Sequence, residues 1–291
     1  METRDLTKHF GHLAAVDGLD VELHRGEVFG LLGPNGAGKT TTIRLLLDFL
    51  RPTRGSATVL GGSGSDPEVR RRIGYLPADL RLDPRYRAGE LFAFLGSLRG
   101  GLDEGFLRAL VERFDLDPTR PIGELSSGNR RKVGIVQAFA HRPELLILDE
   151  PSSGLDPLLQ HEFLLLVREA VAEGATVLLS SHVLPEVERV ADRVAILRRG
   201  RLVTVTGVAE LRRRTRQRID LLVAGRVDAE VFAGVPGVVE RRSSGNLVQL
   251  VVEGSVDAVV KAAAGLDVER ITTSGGDLEE AFLEHYREQE A

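Results

Sequence analysis

An α/β fold built on a parallel sheet is the reading of this 291-residue chain, and three stretches predict it. Val28-Phe29-Gly30-Leu31-Leu32, Leu145 to Leu148, and Ala175 to Leu179 are unbroken apolar runs of strand length. Strands covered on both faces read this way, whereas half-exposed strands alternate. The runs lead into "GPNGAGKT", "DEP" and "SSH" respectively. Those polar residues sit at strand carboxyl ends, where open α/β sheets hold their ligands.

The first run is the most informative. Gly33 to Thr40 fits G-x-x-x-x-G-K-[ST], with a buried strand before it. After it comes an amphipathic helix with Ile43, Leu46, Leu47 and Leu50 as its apolar positions. Glycines let backbone N–H groups turn inward around phosphates, where side chains would block the approach. The following helix adds the positive end of its dipole. The candidate nucleotide contacts are therefore Asn35, Gly36, Ala37, Gly38, Lys39, Thr40 and Thr41. Lys39 supplies charge to the β- and γ-phosphates, and the Thr40 hydroxyl is a candidate ligand for Mg²⁺. Lysine occurs elsewhere only at 8, 132 and 261, which adds weight to Lys39.

The second run ends in Asp149 and Glu150. In isolation, paired acids after a strand read as a solvated turn. Beside a phosphate loop, Asp149 becomes a candidate Mg²⁺ ligand, directly or through water, and Glu150 the group that polarises the attacking water. A lone histidine is more often structural than catalytic. His182, however, closes a strand of the same sheet, where it could reach a γ-phosphate and orient that water.

Composition narrows the function classes. A net charge of −5 leaves no basic footprint for nucleic acid, so no such partner is expected. The chain has no cysteine, which excludes disulfides, thiolate catalysis and thiolate metal sites. Its first residues lack the apolar core of a signal peptide. No window approaches ~18 consecutive apolar residues. A soluble, cytoplasmic protein is the expectation.

Taken in order, "GPNGAGKT", "LSSGN" (125 to 129), "LLILDE", "SGLDP" (Ser153 to Pro157) and "SSH" (Ser180 to His182) resemble the ATP-binding subunit of ABC transporters over roughly residues 2 to 212. The resemblance implies a P-loop NTPase cassette, with a parallel-sheet core and antiparallel β and helical subdomains. It casts Phe10 as the aromatic beneath adenine, with Val16 beside it; the plain alternative is a core phenylalanine. Glu150 looks like the catalytic carboxylate and His182 like the switch histidine. Family members work as head-to-tail homodimers, so Ser126, Gly128, Asn129 and Asp156 would act in trans on ATP held by the partner copy. The family signature is usually Leu-Ser-Gly-Gly-Gln; here Ser127 and Asn129 depart from it, while Ser126 and Gly128 are kept. Ser126 also reads as the N-cap of the helix that follows. A family glutamine that touches Mg²⁺ is replaced by Ala78, leaving water or Asp79 to substitute.

Residues 1–213 read as the cassette, with its helical subdomain at about 79–143. Residues up to about 27 read as antiparallel strands, and the face around Asp79 to Leu98 is where the resemblance puts a membrane partner. The basic connector "LRRRTRQR" (211 to 218) reads as a solvated helix face, with anionic-lipid contact as the alternative. Residues 217–291 read as a small C-terminal α+β domain of order β-α-β-β-α-β-α. Its terminal "GDLEEAFLEHY", with Ser274 or Asp277 as N-cap, is similar to the extension of drug- and antibiotic-exporter ATPases.

The resulting expectation is an ATP- and Mg²⁺-dependent ATPase on the inner face of the cell membrane. It would drive a separately encoded permease for export of drug-like or antibiotic compounds. A soluble ABC ATPase acting on ribosomes or DNA is the alternative. The single cassette and acidic charge weigh against that alternative, and the pairing of Glu150 with His182 weighs against a switch without turnover.

Overall fold

Each apolar run forms a fully buried strand of one sheet in the computed structural model, which describes residues 1–214 and 216–274. The chain divides into two units, Met1–Thr206 and one beginning at Gly207, slightly ahead of the expected boundary at 213.

In the first unit, β1 (Glu2–Phe10), β2 (Leu13–Glu22), β3 (Val28–Leu32), α1 (Lys39–Leu46), β4 (Arg54–Thr58), α2 (Pro67–Arg71) and β5 (Ile73–Leu76) come first. The helices α3 (Ala88–Ser97), α4 (Glu104–Arg113) and α5 (Ser127–Phe139) follow. The unit closes with β6 (Leu145–Asp149), α6 (Pro157–Ala172), β7 (Thr176–Ser181), α7 (Leu184–Glu188), β8 (Arg193–Arg198) and β9 (Arg201–Gly207). Sequence reading had not identified β4, α2, β8 and β9. The segment "RGSAT" of β4 lacks an apolar period, because that strand is exposed along most of its length.

The six-stranded sheet runs β5-β6-β7-β3-β8-β9. β5 through β8 pair parallel in that spatial order. A parallel pair needs a long crossover, so strands far apart in sequence end side by side. Asp149 lies opposite Ser180, and Leu32 opposite Ser181. This register brings the phosphate loop, the paired acids and the histidine to one sheet edge. A separate antiparallel sheet, β2-β1-β4, supplies Leu6 and Leu19 to a core shared with Phe29, Ile43, Ile147 and Leu178.

Three α-helices, α3, α4 and α5, are inserted between β5 and β6. Asp103 caps α4, and Glu90 accepts a hydrogen bond from the Arg87 backbone at the start of α3. Arg113 of α4 pairs with Glu162 and Glu169 of α6, tying the insertion to a helix that flanks the sheet.

The second unit opens with α8 (Val208–Arg214), so most of the basic connector's first half is helical. Four strands follow: β10 (Arg216–Val223), β11 (Val238–Ser244), β12 (Leu247–Glu253) and, after α9 (Asp257–Ala263), β13 (Val268–Ser274). They form one sheet of order β11-β12-β10-β13 with every pair antiparallel. This is the split β-α-β arrangement. Ile219, Leu221, Val248 and Leu250 pack on Phe232, Val259 and Ala263 on one face. The helix expected between the first two strands of this unit is a 3₁₀ turn, Ala229–Phe232, because its next residues Gly234 and Pro236 leave no room for a second helical turn. β11 runs on through the polar Arg241-Arg242-Ser243-Ser244, paired to β12 although it lacks apolar residues there. The expected final helix lies outside the described residues.

A partly buried histidine makes stability depend on pH. His141 follows α5, with Nε2 3.2 Å from the Ile73 carbonyl. Burial, and secondarily the Arg99 cation, pushes its pKa down to about 4 against the Ile73 hydrogen bond. The unfolded histidine protonates near 6.5. Between those values the unfolded state binds more protons, so stability falls as pH drops from 6.5 to 4. The loss approaches ~3 kcal/mol at its lower end. Urea denaturation across that window is expected to show the decline, and His141→Gln to flatten it.

Candidate active site

The phosphate loop is shaped for an anion. Gly38 precedes α1 with φ of 104°, and a Cβ there would lie 2.5 Å from the Ala15 carbonyl, so only glycine fits. No side chain caps the start of α1, which leaves its first amides facing outward. Asn35 and Gly36 are exposed, Ala37 is buried, and Thr40 and Thr41 are half-buried. The loop's carbonyls bind inward instead. Lys39 Nζ donates to Gly33 O at 2.6 Å and Pro34 O at 3.3 Å.

Lys39 also reaches across the sheet edge. Its Nζ lies 3.2 Å from Glu150 Oε1, as an ion pair whose angle falls short of a hydrogen bond. The other oxygen, Oε2, is 2.7 Å from His182 Nδ1. The Glu150 carboxylate is thus bracketed by the phosphate-loop cation and the histidine, while His182 itself stays about half exposed. Glu150 adopts φ of 47°, the left-handed region that non-glycine residues seldom occupy. Its N–H donates to the Ser180 hydroxyl at 3.0 Å and to the Ser180 carbonyl at 3.2 Å.

Asp149 is fully buried. Its Oδ1 accepts the Ser180 hydroxyl at 2.5 Å, whereas Oδ2 has no partner. A buried carboxylate oxygen without a partner is costly unless a ligand completes it. Together with the Thr40 hydroxyl at the start of α1 it suits Mg²⁺. That ion typically takes one or two protein ligands and fills its octahedron with water and phosphate.

The residues expected to act in trans gather elsewhere. Ser126 caps α5, its hydroxyl accepting the Asn129 N–H at 3.2 Å. Asp156 caps α6, accepting the Leu158 and Leu159 N–H groups at 3.0 Å each. A Cβ on Gly128 would lie 3.4 Å from the Gly154 carbonyl, so the two capped starts adjoin. Ser126 and Asp156 are exposed, and Leu158 beside them is 72% exposed, an unusual position for a leucine. Phe10 is 48% exposed with Lys8 Nζ 5.3 Å from its ring centre, so it is not a core phenylalanine. Val16 is buried and lies 3.6 Å from where a Gly38 Cβ would stand. Asp79 is exposed and bound to Arg81 at 2.8 Å, so the candidate surrogate for the missing glutamine is engaged at the surface.

Sequence reasoning missed two site residues, Ser180 and Arg131. Ser180 ends a buried run beside the Asp149 strand, and only the parallel register identifies it. Arg131 was legible in principle: it lies three and four positions before Gly134 and Ile135, on the buried face of α5, rather than in a solvated basic run.

A nucleotide-hydrolysing P-loop fold is the class that this sheet edge defines. Residues 16–153 match the family model described as ABC transporter. The chain is 37% identical over 295 residues to the daunorubicin resistance ATP-binding protein DrrA3 of Streptomyces coeruleorubidus, covering 95% of this chain and 92% of that protein. It is 37% identical over 210 residues to the Nod factor export ATP-binding protein I of Cupriavidus pinatubonensis, covering 70% of this chain and 65% of that protein. A solved structure of the ATP binding subunit of an ABC transporter aligns with TM-score 0.68 and 32% identity, over 73% of this chain and 91% of the other. The chain belongs to the ABC transporter family of ATP-binding proteins, and its cassette is an ATPase of that family. Among the described residues no helix is long and apolar enough to cross a membrane.

Lys39 is the cation held inside the phosphate loop. Lys39→Ala is expected to weaken ATP binding about 10- to 100-fold, the loss of one charge-assisted contact, as read by fluorescent-nucleotide titration.

Proposed function

We propose that this chain is the ATP-hydrolysing subunit of an ABC exporter, energising a separately encoded membrane permease for drug-like or antibiotic compounds. The observation that carries the hydrolytic reading is the Glu150 carboxylate held between Lys39 and His182 at the carboxyl end of β6. Glu150 Oε2 takes the proton of the attacking water, and His182, bonded to the same oxygen, fixes the direction in which it points. Lys39 carries charge onto the β- and γ-phosphates while the free amides at the start of α1 surround them. Asp149 and the Thr40 hydroxyl would hold Mg²⁺, which would neutralise charge on the phosphate oxygens.

The proposal includes a homodimer in which Ser126, Gly128, Asn129 and Asp156 complete the partner's site. The exposure of Ser126, Asp156 and Leu158 supports it, since an unburied leucine beside two polar caps suits a surface that another copy covers. Phe10 and Val16 then flank the adenine. The permease contact falls on the helical insertion, where Tyr86, Phe94 and Leu98 are 41%, 51% and 55% exposed. Phe94 and Leu98 are four residues apart, hence on one side of a helix. Export and the cargo class rest on the names of the relatives. The protein then works peripherally on the cytoplasmic face of the membrane.

Two tests follow from the mechanism. Glu150→Gln is expected to keep ATP affinity, lower turnover by about 100-fold or more, and accumulate an ATP-dependent dimer on size-exclusion chromatography. Wild-type turnover in that variant would remove Glu150 from the mechanism. Phe94→Asp is expected to abolish co-purification with the permease encoded beside it, while ATP affinity of the isolated chain stays the same. Retained co-purification would move the docking face elsewhere.

A further inference from the structure

Arg131 stands inside the first unit as a buried cation whose nearest bonded partners are all backbone carbonyls. It projects from α5, five residues after the helix cap Ser126, and is only 5% exposed. Nε donates to Pro151 O at 3.1 Å. Nη1 donates to Pro77 O at 2.6 Å and to Ala78 O at 3.3 Å. Nη2 donates to Asp149 O at 3.0 Å and to Glu150 O at 2.5 Å. A guanidinium has five N–H donors in a fixed fork, and here five bonds use them.

The five carbonyls belong to two loops. Pro77 and Ala78 follow β5, and Asp149 to Pro151 end and follow β6, its parallel neighbour, with Leu76 opposite Leu148. Arg131 therefore closes across the carboxyl ends of two adjacent strands and joins both to α5. Gly134, one turn on, permits the approach: a Cβ there would lie 2.5 Å from Leu80 Cδ2 and 2.8 Å from Leu76 Cδ1. The fork also grips the backbone of Glu150, which is strained at φ of 47° and held on its N–H side by Ser180. Burying a charge is expensive, and burial lowers this guanidinium's pKa to about 10 although the nearby Asp149 and Glu150 carboxylates act against the shift. Such an expense fits a group whose task is to fix geometry.

We infer that Arg131 is a positioning residue for hydrolysis, transmitting the placement of the α5 start to the Glu150 carboxylate through the Asp149–Pro151 and Pro77–Ala78 carbonyls. Where Ala78 offers no polar side chain to the site, its backbone is still wired to the Glu150 loop through this fork. Two ends of one helix segment thus serve the reaction: Ser126 faces outward and Arg131 inward. When the start of α5 shifts, the carbonyl of Glu150 shifts with it.

The inference rests on the hydrolytic reading of Glu150, so the wild-type chain is assayed alongside. Arg131→Met keeps the apolar stem, and Arg131→Lys keeps the charge without the fork. Both are expected to lower kcat about 10- to 100-fold, because small displacements of a catalytic group are that costly. KM and fluorescent-nucleotide affinity are expected to stay within about twofold, since the phosphate loop is untouched. The thermal shift produced by saturating Mg-ATP checks that each variant is folded and binds. Arg131→Met in the Glu150→Gln background is expected to add no further loss of turnover, because both changes act on one carboxylate. A wild-type kcat in Arg131→Met, a rescued kcat in Arg131→Lys, or a fall in nucleotide affinity parallel to kcat would each overturn the assignment. A wild-type chain that binds no Mg-ATP would instead overturn the hydrolytic reading itself.

Discussion

A carboxylate at the end of a fully buried strand is the constraint on which this cassette depends. Asp149 terminates five consecutive buried residues and is itself inaccessible to solvent. A charge in that position is tolerable only if its surroundings are polar, directional and close. The parallel register meets the requirement by placing Ser180 opposite, so that one hydroxyl bonds Asp149 while also receiving the Glu150 amide. The left-handed backbone of Glu150 follows from the same demand, because the chain must leave the strand at once and turn the next carboxylate toward the phosphate loop. Lys39, Glu150 and His182 meet because three strands that are distant in sequence end together, a consequence of crossover connections rather than of local structure.

Much of this was readable beforehand, and the reasons are physical. Unbroken apolar runs identify strands buried on both faces, so β3, β6 and β7 were visible. The phosphate loop was visible because its glycines and lysine are needed by the chemistry rather than by packing. Ser126 as a cap was visible from a short-range rule, and the bond to Asn129 is that rule in operation. What escaped were features set by long-range pairing. Ser180 has meaning only opposite Asp149, and β4 and the polar second half of β11 are strands only because a partner holds them. Arg131 escaped because three consecutive basic residues look solvated, although the helical period turns the middle one inward. The turn at Ala229 shows the opposite error, in which a short apolar stretch suggested more helix than the flanking Gly234 and Pro236 permit.

The two ends of the site differ in the kind of order that they carry. The phosphate loop is held within itself, by Lys39 on Gly33 and Pro34 and by close approach at Gly38. The loop carrying Glu150 is held from outside, by Ser180 on one side and Arg131 on the other, with Lys39 as the ion pair that joins the two ends. On the proposed reading, turnover then draws on supports that nucleotide binding does not use. A change in α5 would alter the Glu150 carboxylate while leaving the phosphate grip intact, and a helix within the insertion would be a natural place from which to control hydrolysis separately from affinity.

On the proposed reading Ser126 has two uses that are compatible, because a hydroxyl accepts and donates at the same time. As an N-cap it accepts the Asn129 amide, an arrangement worth about 1 kcal/mol to the helix. In addition, the same hydroxyl would donate its own proton to a phosphate oxygen of the partner's ATP while a lone pair keeps the Asn129 bond. The bond gained is charge-assisted and about twice as strong as a neutral one. The other free N–H groups at the helix start would face the same anion. The cap is therefore kept when the anion arrives, and the negative charge at the interface adds to it rather than competing with it. Replacing glycine by Ser127 leaves this arrangement intact, because Ser127 is already the first residue of α5 and contributes its backbone. Asn129 keeps the amide on which the cap depends, so the departures from the usual signature fall where side chains matter least to the backbone geometry.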